Sequence, residues 1–213
     1  MATLSSNSIF GRISGKVGDR IYSSWNGIPY VRAKAVKVNN PKTEAQVEQR
    51  AKFAAVIKFL QPLTAFLRIG FKRKNPTMSP FNAAMSYNFK NALTGTYPDY
   101  CIDYSQVRVS QGNLPGAINP QVRLTTAGEI EFTWEDNRNA MADDRVLLVV
   151  YNPAKQQVST IDGGNTRMEK SQMITLPSTF SGDEVHCYIG FQNYRQTISS
   201  DSQFIGKIQI TGI

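Results

Sequence analysis

The stretch VHCYIGF, residues 185–191, alternates apolar residues at every second position. Val185, Cys187, Ile189 and Phe191 would lie on one face of an extended chain, because successive side chains of a strand point to opposite sides. This period of two indicates a β-strand that packs one face on a core. The stretch therefore predicts that the surrounding region is a β-sheet domain.

Seven similar segments lie around this stretch, and turn residues such as glycine, asparagine and proline separate them. With residues 185–191 included, the candidate strands are Ile102–Val109, Val122–Thr125, Glu129–Trp134, Arg145–Tyr151, Gln157–Ile161, Met173–Leu176, Val185–Phe191 and Phe204–Ile210. Short strands at this spacing are typical of a Greek-key sandwich. The absence of a suitably placed cysteine pair favours the fibronectin type III form over the antibody form.

A hairpin signal precedes this region in IYSSWNGIPYVRA, residues 21–33. Its central Asn-Gly dipeptide suits a two-residue type I′ turn between two strands. Pairing across that turn places four large apolar residues on one face: Ile21, Trp25, Ile28 and Tyr30. Because a lone two-stranded ribbon is only marginally stable in water, this face must cover either the helices that follow or another subunit. We predict that its four residues form a subunit interface.

Three helices are predicted between the hairpin and the sandwich. Thr43 and Gln46 have the spacing of a capping box at the start of the first helix. Pro62 ends that helix and suits the first turn of a second, and Ser79 with Pro80 suits the start of a third. The predicted fold class is therefore α+β: an N-terminal β-hairpin with three helices, followed by an immunoglobulin/fibronectin type III-like β-sandwich.

Charge is distributed unevenly along the chain, whose formal net charge is +8. Residues 1–90 contain 15 lysines and arginines and three acidic residues, which gives +12. Residues 91–213 contain nine lysines and arginines and 13 acidic residues, which gives −4. Together with the change of period, this predicts two domains: residues 1–97 as a basic arm, hairpin and helical region, and residues 98–213 as the β-sandwich.

The basic residues are most concentrated after the second predicted helix, at Arg68, Lys72, Arg73 and Lys74. Such a cluster can bind phosphates or another polyanion. Cations also complement the C-terminal end of a helix dipole without any ligand. We predict polyanion binding at these four residues and keep the helix-end interpretation open.

No catalytic constellation is evident in the sequence. The chain has one histidine, His186, and the neighbouring Cys187 would point to the opposite face of the same strand. The glycine-rich segment at residues 11–17 departs from the phosphate-loop pattern, because three residues separate its glycines and valine follows the lysine. We therefore predict a protein that is not an enzyme and has no cofactor, and we expect His186 to be exposed on its strand.

The sequence also indicates where in the cell the protein is expected. It lacks the uninterrupted run of about 18–20 apolar residues that a membrane span requires. Its N-terminus lacks the charged and apolar regions of a secretory signal. We expect no membrane association and a cytoplasmic or virion location.

Two segments resemble a protein family of unknown function that is common in Bacteroidota genomes and their phages. They are GKVGDRIYSSWNGIPYVRA, residues 15–33, and NPKTEAQVEQRAKFAAVIKFLQPLTAFLRIGF, residues 40–71. The second segment also resembles parts of phage structural proteins. The resemblance implies a helical front joined to a sandwich and supports a role in a virion, and it supplies no catalytic residue.

These observations predict a non-enzymatic structural or assembly protein, a component of a phage virion or phage-like particle that binds neighbouring subunits. The expected partners are other copies of the chain or other particle proteins, with DNA or another polyanion as a further partner. The alternative is a nucleic-acid-binding protein that uses the basic N-terminal half. A third hypothesis is a carbohydrate-binding module that uses Tyr151 and Tyr194 in the sandwich loops.

Overall fold

The chain divides into two units, residues 1–43 and residues 44–213. The structure is a computed structural model that describes residues 2–3, 14–25, 27–36, 42–72, 78–125, 128–135, 137 and 139–211. Strands and bridges take up 44% of the described residues and form four sheets. The boundary predicted between residues 97 and 98 lies inside the second unit.

The first unit is a small antiparallel sheet. Its strands are β1 (Ala2–Thr3), β2 (Gly15–Val17), β3 (Arg20–Trp25) and β4 (Ile28–Ala33). They lie in the order β1-β4-β3-β2. The strands β1 and β2 come from residues 1–19, which glycine and serine content alone would describe as a loop.

The predicted hairpin is formed by β3 and β4. Trp25 pairs with Ile28 and Ser23 pairs with Tyr30, as expected for a two-residue turn. Gly27 has a φ of 80°, in the left-handed region that a type I′ turn requires. Asn26 lies outside the described residues.

The helices belong to the second unit. They are α1 (Glu44–Leu60), α2 (Thr64–Gly70) and α3 (Pro80–Asn91), and a 3₁₀ turn at Gln61–Leu63 joins α1 to α2. Pro62 lies in that turn, where its missing N–H disturbs no helical hydrogen bond. The predicted cap at Ser79 is confirmed, because its hydroxyl accepts a hydrogen bond from the Asn82 N–H at 3.2 Å.

The helical segment Glu44–Gly70 is long and apolar enough, by length and composition alone, to cross a membrane. Core helices of soluble proteins meet the same criterion. Here Val56, Leu60, Leu63 and Leu67 are completely buried within the second unit, each with 0% exposure. This one segment is therefore weak support for a membrane span.

The remaining strands of the second unit form three antiparallel sheets. They are β5 (Leu93–Thr96), β6 (Asp99–Ile102), β7 (Ile118–Leu124), β8 (Glu129–Glu135), β9 (Arg145–Asn152), β10 (Gln157–Thr166), β11 (Ser171–Thr175), β12 (Glu184–Gln192) and β13 (Gln203–Gln209). The strand orders are β5-β6, β11-β8-β7 and β10-β9-β12-β13.

The four-stranded sheet of the second unit is covered on both faces. On one face, alternate residues of β9 and β12 such as Leu148 and Ile189 pack with Phe132 of the three-stranded sheet. On the other face, Val149 and Tyr188 pack with the apolar residues of the helices. This double burial explains why almost every residue of β9 and β12 is buried.

The predicted fold class, an N-terminal hairpin with three helices and an immunoglobulin/fibronectin type III-like sandwich, is wrong. The protein is β-rich with four sheets and one long helix, α1, and the N-terminal region contains a four-stranded sheet instead of a three-helix region. The helices pack in the same core as β9 and β12. The prediction joined them to the hairpin because both are basic, but charge describes a protein's surface and does not determine which elements share a core.

Candidate functional site

One face of the first-unit sheet contains the four residues predicted as an interface. The register pairs Trp25 with Ile28, Ser23 with Tyr30 and Ile21 with Arg32, so these side chains lie on the same side. Lys16 of β2 pairs with Ile21 on that side. We call this surface the ribbon face; its residues in β2, β3 and β4 are Lys16, Ile21, Ser23, Trp25, Ile28, Tyr30 and Arg32.

The apolar residues of the ribbon face remain largely in water. Trp25 is 55% exposed and Ile28 is 56% exposed, although the two are neighbours across the hairpin. Ile21 and Tyr30 are half-buried. None of the described side chains in residues 14–43 is fully buried, so the sheet has no closed core of its own.

Cations flank the apolar part of this face. Lys16 and Arg32 lie on either side of Ile21 in one row across three strands. No carboxylate lies on the ribbon face within the strands described, since Asp19 is in the β2–β3 turn, 3.9 Å from the Arg20 guanidinium. Residues 1–43 contain seven lysines and arginines and one acidic residue, a formal charge of +6. The face therefore suits an acidic partner.

The predicted polyanion-binding cluster lies at the C-terminal end of α2. Arg68 and Lys72 are both exposed and lie four residues, about one helical turn, apart. Phe71 between them is buried, with 1% exposure, and fixes this end of the helix to the core. Arg73 and Lys74 lie outside the described residues. Polyanion binding at this cluster stays a prediction.

His186 is buried, and the expectation that it would be exposed is wrong. It has 8% exposure and stacks on the Tyr104 ring, with 4.1 Å between the ring centroids. Its Nδ1 is buried without a hydrogen-bond partner in the described structure. Removal from water lowers the pKa of His186, because the charged imidazolium loses its hydration.

Cys187 faces the opposite side of β12 and packs between the four-stranded and three-stranded sheets of the second unit. It has 0% exposure, and burial raises the pKa of its thiol to about 12. The thiol is therefore uncharged at neutral pH. His186 and Cys187 do not face each other, as the alternation along the strand predicts.

The two tyrosines of the carbohydrate hypothesis have different environments. Tyr151 is 2% exposed and packs edge-on against Phe59, with 4.9 Å between the ring centroids. A ring held in the core in this way is unable to stack on a sugar. Tyr194 is 66% exposed in the loop after β12 and remains accessible.

A buried ion pair is among the features that sequence patterns did not indicate. Arg167 and Asp144 both have 1% exposure, and the Arg167 Nε lies 3.4 Å from the Asp144 carboxylate. The Arg167 guanidinium also donates to the carbonyls of Pro115 and Gly116 and lies 3.6 Å from the centroid of the Phe191 ring. These contacts compensate the buried charge of the Arg167 guanidinium, so the ion pair has a structural role.

The sequence allows more residues of the ribbon face to be predicted than the four apolar ones. Once Trp25 is paired with Ile28, the same register places Arg32 opposite Ile21. The pairing rule thus predicts one of the two flanking cations. The place of Lys16 depends on β2, which no strand pattern indicates because it is only three residues long.

The fold and the ribbon face define a class: β-rich proteins with a small basic sheet whose apolar face is open, joined to a larger unit that has its own core. Within that class, a family of unknown function, DUF6266, has a model that matches residues 12–206. The chain belongs to this family. No curated protein matches the chain. The match confirms the coarser part of the sequence resemblance, membership in an uncharacterised family, and does not extend to its association with Bacteroidota or phages.

Proposed function

We propose that the protein is a non-enzymatic assembly protein whose ribbon face is covered by a second copy of the chain. One observation carries this proposal: the sheet of residues 14–43 exposes Trp25 and Ile28 by more than half and fully buries none of its described side chains. A sheet whose apolar face stays in water gains little hydrophobic stabilisation, so a partner that covers this face would stabilise it. Burial of each such side chain contributes about 1.5–3 kcal/mol.

Charge favours another copy of the chain as the covering partner. Residues 1–43 carry +6; the second unit carries +2 in total, and within it residues 91–213 carry −4, so this acidic part of another copy is complementary to the small sheet. The edge strands of the small sheet are short, with two residues in β1 and three in β2. Short edges pair poorly with further strands. The face of the sheet is therefore a better contact surface than its edges.

We place this assembly in a phage virion or phage-like particle, with the free protein in the cytoplasm before assembly. Residues 15–33 and 40–71 support this setting through their resemblance to phage-associated proteins. Particle proteins associate through many copies of one contact, which suits a face that is unstable when left open. Other particle proteins with acidic surfaces could bind the same face in place of a second copy.

Light scattering of the full chain, coupled to size-exclusion chromatography at micromolar concentration, tests the assembly. The wild-type chain should have a mass above one subunit. Replacing Trp25 and Ile28 with serine should weaken association by about 30-fold or more, because truncation of a central aromatic contact typically costs about 2 kcal/mol or more.

Met173→Ser is the matched control, since Met173 is 50% exposed on β11 of the second unit. It should leave the mass unchanged. A wild-type chain that stays monomeric would rule out assembly through self-association. An oligomer that survives Trp25→Ser/Ile28→Ser would show that the contact lies elsewhere.

Nucleic-acid binding is the second candidate, and the composition of the ribbon face favours it. Lys16 and Arg32 could neutralise phosphates while Trp25 and Tyr30 on the same face stack on bases. Affinity for a single-stranded oligonucleotide should then fall with salt. Replacing Lys16 and Arg32 with alanine should reduce the slope of log K against log salt by about 1.4. Absence of binding at low salt would exclude this function.

A further inference from the structure

A cleft of about 530 Å³ with both polar and apolar lining lies in the second unit. It opens where the end of α2 meets the loop before β7 and the loop between β12 and β13. The residues that line it include Lys72, Asn113, Ile198 and Asp201. Its volume is within the range of small-molecule sites, about 300–1,000 Å³.

Buried serines hold the walls of the cleft together. Ser110 and Ser200 have 0% exposure, and the Ser110 hydroxyl donates to the Ser200 carbonyl at 2.9 Å. The Ser202 hydroxyl accepts from the Val109 N–H at 2.9 Å. Hydrogen bonds of this kind join two loops that are about 90 residues apart in sequence. The walls are fixed before any ligand arrives, which lowers the cost of binding.

A close approach between the backbones of Gly112 and Ser199 makes the cleft walls more rigid. A Cβ atom on Gly112 would lie 2.0 Å from the Ser199 carbonyl oxygen, so only glycine fits there. The Gly112 N–H donates to Asp201 Oδ1 at 3.1 Å, and Arg108 binds Asp201 Oδ2 at 2.7 Å. The Asp201 carboxylate is thus oriented and its charge offset. Each of its oxygens keeps a lone pair for a further donor.

The lining groups together suit a ligand rich in hydroxyls. Asn113 is exposed and its amide makes no hydrogen bond within the described structure, so it offers two donors and an acceptor. Asp201 offers acceptors, and Lys72 is an exposed ammonium at the rim. Ile198 is 46% exposed and presents an apolar surface. A sugar ring has hydroxyls on its edge and C–H groups on its face, which match both kinds of surface.

We propose that this cleft binds an acidic carbohydrate, a sugar residue that carries a carboxylate. Asn113 and Asp201 hydrogen-bond to its hydroxyls, Ile198 packs against the ring, and Lys72 pairs with the carboxylate. A nucleic acid fits the cleft less well. The described lining contains no aromatic ring for base stacking.

Isothermal titration calorimetry of the full chain tests the proposal, with trigalacturonate as the acidic probe and maltotriose as a neutral probe of similar size. The chain should bind trigalacturonate saturably and more tightly than maltotriose. Lys72→Ala should weaken trigalacturonate binding by about tenfold and leave maltotriose binding unchanged, because a charge-assisted hydrogen bond is lost. Asn113→Ala should weaken the binding of both sugars.

Lys58→Ala is the matched control, since Lys58 is also an exposed lysine and does not line this cleft. It should bind trigalacturonate as the wild type does. Trp25→Ser/Ile28→Ser should also bind normally, so failure of the assembly proposal and failure of this one are distinguishable. Absence of saturable binding, binding that is insensitive to Lys72→Ala and Asn113→Ala, or a preference for a DNA oligonucleotide would each overturn the proposal.

Discussion

Asn88 shows how one buried polar residue joins an element to a distant loop. Its side chain has 0% exposure and lies on α3. Its Nδ2 donates to the Ala84 and Arg108 carbonyls, each at 2.9 Å, and its Oδ1 accepts from the Arg108 N–H at 3.0 Å. Helical spacing places Asn88 on the apolar face of the predicted helix. The bonds to Arg108, twenty residues away, follow no local pattern.

Asn88→Ala should lower the free energy of unfolding by about 2–3 kcal/mol, because it leaves the Arg108 N–H and carbonyl without their partner. Urea denaturation measures this change. Asn91→Ala is the control, since the Asn91 amide bonds to the Tyr87 carbonyl at an exposed site. It should cost less than about 0.5 kcal/mol. Equal effects of the two substitutions would show that the hydrogen bonds between Asn88 and the Arg108 backbone do not contribute to the free energy of unfolding.

His186 should make the stability of the fold depend on pH near the pKa of an unfolded histidine. Burial lowers the pKa of His186 in the folded chain, whereas an unfolded histidine binds a proton near about pH 6.5. The unfolded state therefore takes up a proton first, and the free energy of unfolding should decrease as the pH falls below about 6.5. The chain has one histidine, so this decrease is readily assigned.

Urea denaturation between about pH 7.5 and 5.5 measures the effect. His186→Phe keeps a ring against Tyr104 and removes the titrating group, so its stability should be nearly constant over that range. A wild-type chain with constant stability over the same range would contradict the buried position of His186.

At the scale of elements, local patterns located most strands of the second unit. Among the predicted segments, Ile102–Val109 is the exception, since β6 ends at Ile102 and no strand follows directly, and β5 was not predicted. Val107 and Val109 are nevertheless buried, each with 2% exposure. The Val109 N–H bonds to a serine side chain rather than to a neighbouring strand. Alternate valines are buried here by packing in a loop, and their spacing in the sequence resembles that of a strand although no strand forms.

The helix layer was also indicated by a pattern that the prediction did not use. Residues 146–151, VLLVVY, are apolar without alternation. A strand with such a continuous run is buried on both faces, whereas an exposed sandwich face requires polar residues at every second position. This run therefore favours a covering layer on each side of β9. Its partners in the helices are remote in sequence and depend on tertiary packing.

A substitution at Gly112 tests the close contact between the two loops that line the cleft. Gly112→Ala should lower the free energy of unfolding by about 1–3 kcal/mol, because the added methyl group would overlap the Ser199 carbonyl and force the loops apart. Thermal denaturation measures the loss. An unchanged melting temperature would mean that the loops are not held as closely as the structure indicates.

At the scale of the whole molecule, the candidate sites differ in how far sequence could predict them. The four apolar residues of the ribbon face follow from the register of one turn, so they were predictable. The cleft combines Lys72, Asn113 and Asp201, which lie in three separate segments. No periodicity links such segments, because loops meet through tertiary packing. The charge pattern separated basic from acidic regions but did not locate the boundary between the two units.

The division into units also predicts how the chain behaves when it is shortened. The buried apolar residues of the described chain all lie in residues 44–213, where they form two clusters. A chain of residues 44–213 should therefore keep a cooperative thermal transition. Loss of that transition would mean that residues 1–43 are needed for the fold of the second unit.

The mass of the full chain in solution, measured by light scattering beside that of residues 44–213 at the same micromolar concentration, tests the assembly account most directly. The account predicts that the full chain has a multiple of its 23.7 kDa subunit mass and that the shortened chain is a monomer. A full chain that is itself monomeric, or a shortened chain that forms the same oligomer, would contradict it.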